Sequence, residues 1–155
     1  MPVAVRKATR ADAARVAEFA VALFELHAGW NPRRFTQIAT REGAERFYGD
    51  RAEQGSVLVA ESDGEVVGFA YFEYEPMLYA ELATNVAWLH DIYVEPAARG
   101  KGAGDALIAG VREEAKQLGA NKVLLSVAVQ NAAGQRLFER NGFETTMHEM
   151  MLVID

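Results

Sequence analysis

One stretch constrains the fold of this chain more than any other. Trp88, Leu89, His90, Asp91, Ile92, Tyr93 and Val94 read as a β-strand, Pro96 breaks it, and Arg99-Gly100-Lys101-Gly102-Ala103-Gly104 leads into a helix. The helix starts near Ala103, carries Leu107, Val111, Ala115 and Leu118 at three- and four-residue spacing, and has Gly119 placed to cap its end. Glycines at 100, 102 and 104 keep Cβ atoms away from the turn, so backbone N–H groups there can converge on an anion. The helix N-terminus adds a partial positive charge at the same place, and Arg99 and Lys101 add formal charge. The pattern predicts a phosphate cradle fed by a strand.

Two common phosphate motifs do not fit. A Walker A loop needs Ser or Thr after its lysine, and Lys101 is followed by Gly102. The dinucleotide fingerprint G-x-G-x-x-G would need glycine at 105, which is Asp105. The pattern present is R-x-x-G-x-G, formed by Arg99, Gly102 and Gly104.

The rest of the chain supplies a core around that unit. With 155 residues, half of them apolar, it is long enough for one domain spanning 1–155. A net charge of −6 disfavours nonspecific nucleic-acid binding and favours a cationic small substrate. With no cysteine there is no disulfide, thiolate metal site or cysteine nucleophile, and a cytoplasmic location is expected. No apolar run approaches membrane-spanning length, and His27, His90 and His148 show no metal-ligand spacing.

In chain order, Val3 to Lys7 predicts a short strand, and Thr9-x-x-Asp12 a capping box. The helix that follows shows Val16, Phe19, Leu23 and Leu26 on one face and ends at Gly29 to Pro32. Residues 31–40 read as a loop, and a second helix runs through Ala44 and Phe47 to about Gln54. Ser56 to Glu61 and Val66 to Phe72, joined by a Ser62-Asp63-Gly64-Glu65 turn, read as a hairpin, and Pro76 to Asn85 as a loop. Val123 to Val129 reads as a buried strand and Asn131 as the start of a short helix through Leu137 and Phe138, closed by Asn141 and Gly142. Phe143 to Thr145 and Met147 to Ile154 supply the last strand or pair of strands.

The glycine loop in its strand–loop–helix setting, this element order and the segment Asn131 to Phe143 together resemble the GNAT superfamily of N-acetyltransferases over essentially the whole chain. Within it, Gly68 to Pro76, Leu89 to Val94 and Asn131 to Gly142 are most similar to diamine and thialysine N-acetyltransferases. The resemblance implies an α/β fold, order β-α-α-β-β-β-α-β-α-β-β. Its twisted, mostly antiparallel mixed sheet would have six to seven strands and four flanking helices. It implies acetyl-CoA as donor, coenzyme A as product and direct attack in a ternary complex. It lays the pantetheine arm along the central strand at Ile92, Tyr93 and Val94, the pyrophosphate on Arg99 to Gly104, and Asn131 and Phe138 along the arm. Asn131 reads equally as a helix N-cap and Phe138 as core, and these roles are compatible with cofactor contact.

Acetyl transfer to an amine requires an anchored thioester, a deprotonated amine, oxyanion donors and a departing thiolate. His90, with an ordinary pKa of about 6.5, suits the base; the related diamine enzymes usually have a glutamate there. In a regular strand His90 and Asp91 point to opposite faces, and only a β-bulge, which the family commonly has here, would bring them to one site. Asp91 is expected to bind the substrate ammonium or orient a neighbour. Phe138 departs from the family's tyrosine, which can protonate the thiolate. Leaving unprotonated at pH 7 costs about 2 kcal/mol, which water or one of Tyr71, Tyr74, Tyr79 and Tyr93 could offset. On a continued strand Tyr71, Glu73 and Glu75 share a face. With Trp30 and Phe35 in the substrate-covering loop, and Glu81 nearby, they would form an acidic, aromatic wall for an alkyl ammonium. The expected acceptor is a small primary amine such as a polyamine or lysine-like amino acid. A peptide or protein amine, and a non-catalytic acyl-CoA-binding module, stand as alternatives. The apolar run Met150 to Ile154 makes a homodimer by strand exchange or edge pairing an expectation.

Overall fold

The computed structural model describes residues 2–155. Strands β1 (Ala4–Lys7), β2 (Val57–Ser62), β3 (Glu65–Leu78) and β4 (Ala83–Val94) lie side by side, each antiparallel to the next. Strand β5 (Lys122–Leu124) joins β4 in parallel, which requires a crossover, and helix α3 (Ala103–Leu118) provides it. Helices α1 (Ala13–Trp30) and α2 (Arg41–Glu53) connect β1 to β2, and α4 (Ala132–Arg140) follows β5.

Local chemistry explains most boundaries. The β2–β3 turn places Asp63 and Gly64 at φ 55° and 78°, the left-handed pair that suits a two-residue hairpin. Thr40 caps α2 by accepting the Gly43 N–H at 3.0 Å, and Gly119 ends α3 at φ 100°. Gly68 lets β3 and β4 close up, because a Cβ there would fall 2.6 Å from the Tyr93 carbonyl oxygen.

The sheet is packed on both faces. On one face Val16, Phe19 and Ala20 of α1 and Ala44, Tyr48 and Ala52 of α2 meet Val57, Val59, Phe69 and Tyr71. On the other, Leu107, Val111 and Ala115 of α3 meet Leu58, Ala70, Phe72, Ala87 and Leu89. Phe69, Ala70 and Phe72 are all buried, as a strand covered on both sides should be.

The α/β layout, four helices and mostly antiparallel mixed sheet agree with expectation, but the sheet has five strands rather than six or seven. The expected loop at 76–85 is instead the tip of a long hairpin, in which β3 runs to Leu78 and β4 begins at Ala83. Pairs such as Met77↔Thr84 extend the ladder past Pro76. The strand expected over 123–129 pairs only to Leu124, and residues 143–155 form no ladder. Those residues are apolar enough for a strand but pair with no edge among the described residues, and a strand requires one. Leu26, expected on the apolar face of α1, is exposed.

The capping box at Thr9 is an electrostatic knot around the buried Asp12. Asp12 accepts the Thr9 N–H at 2.8 Å and both terminal nitrogens of Arg6 at 2.8 and 3.0 Å, which holds its carboxyl below the usual carboxylate range, the Arg6 bonds contributing most. A depressed folded pKa stabilises the fold above the unfolded value, and this stabilisation fades as pH falls through the folded one. Asp12→Asn should therefore lower stability at pH 7 by about 1 kcal/mol, a figure discounted because Arg6 is half open to solvent. The gap to wild type should begin to narrow below about pH 4 in urea melts, as the unfolded Asp12 takes up a proton, and close as pH falls through the lower folded value. A gap constant from pH 7 to pH 3 would contradict this role.

Candidate active site

The centre of the site is an irregularity in β4. Across the β3–β4 ladder Tyr71 pairs with Asp91 and Phe72 with Leu89, so His90 is one extra residue with no partner. Leu89 and Ile92 pack on the α3 face, whereas Tyr93 packs on the α1–α2 face against Phe19 at 5.6 Å. The bulge turns both His90 and Asp91 to that second face. His90 stacks on Tyr71, centroids 5.1 Å apart and planes at 22°, and lies near Trp88. Asp91 accepts the Tyr48 hydroxyl at 2.6 Å.

Tyr71, Glu73 and Glu75 follow the regular alternation of β3 onto the same face. Tyr71 is buried and donates its hydroxyl to Glu73 Oε1 at 2.9 Å; its pKa is pushed up to about 12, mainly by burial. Arg51 of α2 lies 3.6 Å from the same Glu73 oxygen. Burial lowers the His90 pKa from its ordinary value, while Asp91, Glu73 and Glu75 oppose the shift. Burial raises the Asp91 pKa, countered by the Tyr48 bond and by His90 and His27. The ring is therefore a neutral acceptor at pH 7, with three carboxyl groups near enough to steady the charge it gains on taking a proton. Trp30 reaches the edge of this group through His27, 5.0 Å away, which also contacts Phe35 at 4.9 Å. Glu81 does not join it and sits on the β3–β4 hairpin tip, lining a different cleft with Lys122.

Most residues expected to hold the cofactor lie on the α3 side; the Tyr93 ring, on the α1–α2 face, is the exception. Gly100 and Gly102 adopt φ 78° and 88°, Gly102 is the N-cap of α3, and among the described residues no backbone carbonyl outside the helix takes the N–H groups of residues 100–104. Gly104 lets α4 approach, since a Cβ there would meet Leu137 at 3.1 Å. Arg99 spans the mouth of the loop, its Nε donating to the Val94 carbonyl at 2.8 Å and its guanidinium 5.4 Å from the Tyr93 ring centre. Lys101 and Ala103 complete the turn, the first exposed and the second buried. The β4–β5 ladder ends at Trp88↔Leu124, so from Leu89 to Val94 the β4 edge toward β5 is open. An extended chain can be accepted there by backbone hydrogen bonds. Free amides at a helix start beside an open strand edge fit a pyrophosphate followed by a pantetheine arm.

Asn131 caps α4 by accepting the Gly134 N–H at 2.9 Å, and Phe138 is buried against Phe143 at 5.7 Å. Phe138 lines a cleft of about 1350 Å³ with Trp88, Leu89 and Leu125. None of Tyr71, Tyr74, Tyr79 and Tyr93 lines that cleft. Tyr74 instead hydrogen-bonds Asn85 and Tyr79 stands exposed on the hairpin tip, so no tyrosine replaces the missing hydroxyl beside Phe138. Tyr48, His27 and Arg51 were not anticipated as site residues. Their signal was weak: His27 lies four residues after Leu23 on the buried face of α1, and Tyr48 lies midway between Ala44 and Ala52.

Residues 20–143 match the Acetyltransferase (GNAT) family, and the chain belongs to it. It is 32% identical over 142 residues to the uncharacterized N-acetyltransferase YhfO of Bacillus subtilis, covering 90% of this chain and 89% of YhfO. It is 31% identical over 148 residues to the L-methionine sulfoximine/L-methionine sulfone acetyltransferase of Salmonella typhimurium, covering 92% and 80%. The structure of YncA from Salmonella typhimurium with its cofactor acetyl-CoA superposes with a TM-score of 0.73 at 30% identity, over 94% of this chain and 81% of that one. The protein is an N-acetyltransferase.

The loop geometry gives a direct test of anchoring. A Cβ at Gly102 would meet no protein atom within 4 Å, but it would project from a left-handed residue at the cap of α3. Gly102→Val should weaken acetyl-CoA binding at least about tenfold by calorimetry, because the residue leaves the φ that aims the amides. Unchanged affinity in a folded variant would remove the loop as the anchor.

Proposed function

We propose that this enzyme acetylates a small cationic primary amine, a polyamine or a lysine-like amino acid, on the α1–α2 face of the sheet. One observation carries the reading: the bulge sets His90 and Asp91 side by side on the face that already holds Glu73 and Glu75. Acetyl-CoA is the donor. The amides of residues 100–104 with Arg99 and Lys101 hold its pyrophosphate, and the open edge at Ile92, Tyr93 and Val94 takes the arm, with Asn131 and Phe138 beside it. The amine arrives as an ammonium and is drawn by Asp91, Glu73 and Glu75, with Trp30 and Tyr71 as its aromatic wall.

His90 takes one proton from the ammonium and becomes imidazolium. The freed lone pair forms the N–C bond at the thioester carbonyl, the C–S bond breaks, and the sulfur leaves as thiolate. The protonated nitrogen of the adduct gives up its second proton to water as the amide forms, and water protonates the sulfur, since Phe138 has no proton to give. Membership of an acetyltransferase family sets the non-catalytic reading aside.

A free-thiol release assay over diamines, polyamines, lysine, neutral α-amino acids and lysine peptides tests the acceptor. Turnover favouring diamines or lysine at least about tenfold over neutral amino acids is expected. A preference for neutral amino acids, the chemistry in the name of the Salmonella relative, would overturn the cationic reading.

A second measurement tests the base. His90→Gln should lower turnover about 10²-fold with acetyl-CoA affinity intact. In wild type the acidic limb of turnover should fall below pH 6.5, since the folded His90 pKa is depressed and the neutral ring persists to lower pH. Full activity in the variant would reduce His90 to a packing role.

The enzyme acts in the cytoplasm, a placement supported by its lack of cysteine, and it acts as a homodimer joined through its C-terminal arm. Support for the dimer is the arm's apolar exposure: Met150, Leu152 and Ile154 are each more than 85% exposed. They face solvent beyond the cleft that separates residues 143–149 from 122–129. Another copy's arm, equally apolar, would fill that gap. Light scattering should give twice the chain mass for wild type and the single-chain mass for Leu152→Glu with Ile154→Glu, positions where a monomer tolerates charge. A monomeric wild type at micromolar concentration, or a dimer that survives the double change, would contradict it.

A further inference from the structure

Asp91 lacks a cation. The groups that face it are Tyr48 from α2, His27 from α1, Tyr71 opposite on β3 and His90 beside it on β4; no lysine or arginine pairs with it among the described residues. A desolvated carboxylate without a counter-ion is costly, and something must hold it in place and ionised.

Tyr48 does so from a helix with no evident chemical role. Its ring is buried in the stripe Ala44, Tyr48 and Ala52 and boxed edge-on by Phe47, Phe69 and Tyr71 at 5.1, 5.5 and 5.7 Å. Phenylalanine would satisfy that box equally well. The hydroxyl has one partner, Asp91 Oδ2 at 2.6 Å, a short bond to a charged acceptor. Burial first, and then the Asp91 charge, push the Tyr48 pKa far above its ordinary value, so the phenol remains a donor throughout the working pH range. The second oxygen, Oδ1, accepts nothing from the described residues. No buried side-chain oxygen or nitrogen among them is left without a partner, so Oδ1 is not sealed from the surface.

We propose that Tyr48 is a positioning residue that makes Asp91 a one-sided ammonium anchor. Its hydroxyl occupies Oδ2 and fixes the plane of the carboxylate. Oδ1 is left as the free acceptor for the incoming ammonium, next to the His90 ring that takes the proton. The proposal rests on the reading of Asp91 as the contact for the substrate cation. It assigns α2 a part in recognition, because any shift of that helix would move the anchor.

Tyr48→Phe and Asp91→Asn test it, with 1,5-diaminopentane as acceptor and carbon NMR of the Asp91 carboxyl without any amine. Tyr48→Phe keeps the ring and removes the donor. Its KM for the diamine should rise about tenfold or more, with kcat changed less, as expected for a contact made equally before and during reaction. Acetyl-CoA affinity should stay within about twofold, since Tyr48 touches no residue of the loop. The Asp91 titration midpoint should move up from wild type, because a bond that favours the charged form is gone. The acidic limb of kcat/KM should move up with it, a shift that loss of packing alone would not give. An unchanged midpoint and KM in a folded Tyr48→Phe chain would overturn the positioning role. If Asp91→Asn raises KM while Tyr48→Phe does not, the positioning role alone fails. If Asp91→Asn leaves KM unchanged, the ammonium contact fails and the positioning role with it.

Discussion

The extra residue in β4 is the constraint on which the rest of the site depends. Side chains on a strand alternate, so a histidine followed by an aspartate would normally serve opposite faces of the sheet. Pairing Tyr71 with Asp91 and Phe72 with Leu89 leaves His90 over and turns it toward Asp91. An irregular strand costs a ladder bond, yet this one sits in the best-supported part of the sheet. β3 beneath it is buried on both faces, and Gly68 lets β4 close up three pairs further along. Tyr71 stacked on the imidazole and Tyr48 bonded to the carboxylate fix both side chains once they are turned.

That irregularity also divides the labour of the two faces. The glycine loop and α3 lie on one side, and the carboxylates, aromatic rings and His90 on the other. The route between them is the open β4 edge beyond Trp88, where β5 has already ended. In the proposed reaction, a cofactor anchored at 100–104 would bring its reactive end through this gap to an amine held on the other face. Charge follows the same division. Arg99 and Lys101 stand by the loop, while Asp91, Glu73 and Glu75 collect around His90, where burial keeps the ring neutral and the carboxyl groups stabilise its protonated form.

Much of this was legible in residues whose meaning is local. Glycines at 100, 102 and 119, the Asp63-Gly64 turn, the Thr9-x-x-Asp12 box and the Asn131 cap all act within a few positions of themselves, and each does what its type predicts. The face shared by Tyr71, Glu73 and Glu75 follows from simple alternation. The alternation rule alone separates His90 from Asp91, and only the family's habit of a bulge pointed to their meeting. Tyr48, His27 and Arg51 were missed because they reach the site from α1 and α2 through tertiary packing. The long hairpin at 76–85 was misread because Pro76 and Asn85 resemble loop residues, though the ladder runs past both and only residues 79–82 form its tip, with Leu82 at φ 53°. The strands expected after Phe143 failed for a different reason: their composition suits a sheet, but they pair with no edge among the described residues.

The account stands on His90 and Asp91 working as one unit on one amine. A double-mutant cycle on kcat/KM with His90→Gln, Asp91→Asn and the double variant tests this directly, since residues that share a site are non-additive and independent ones multiply. The account predicts that the second change costs at least about tenfold less in the presence of the first than it does alone. Effects that multiply to within about twofold would mean that the two side chains act on separate events, and that the bulge does not build the acceptor site.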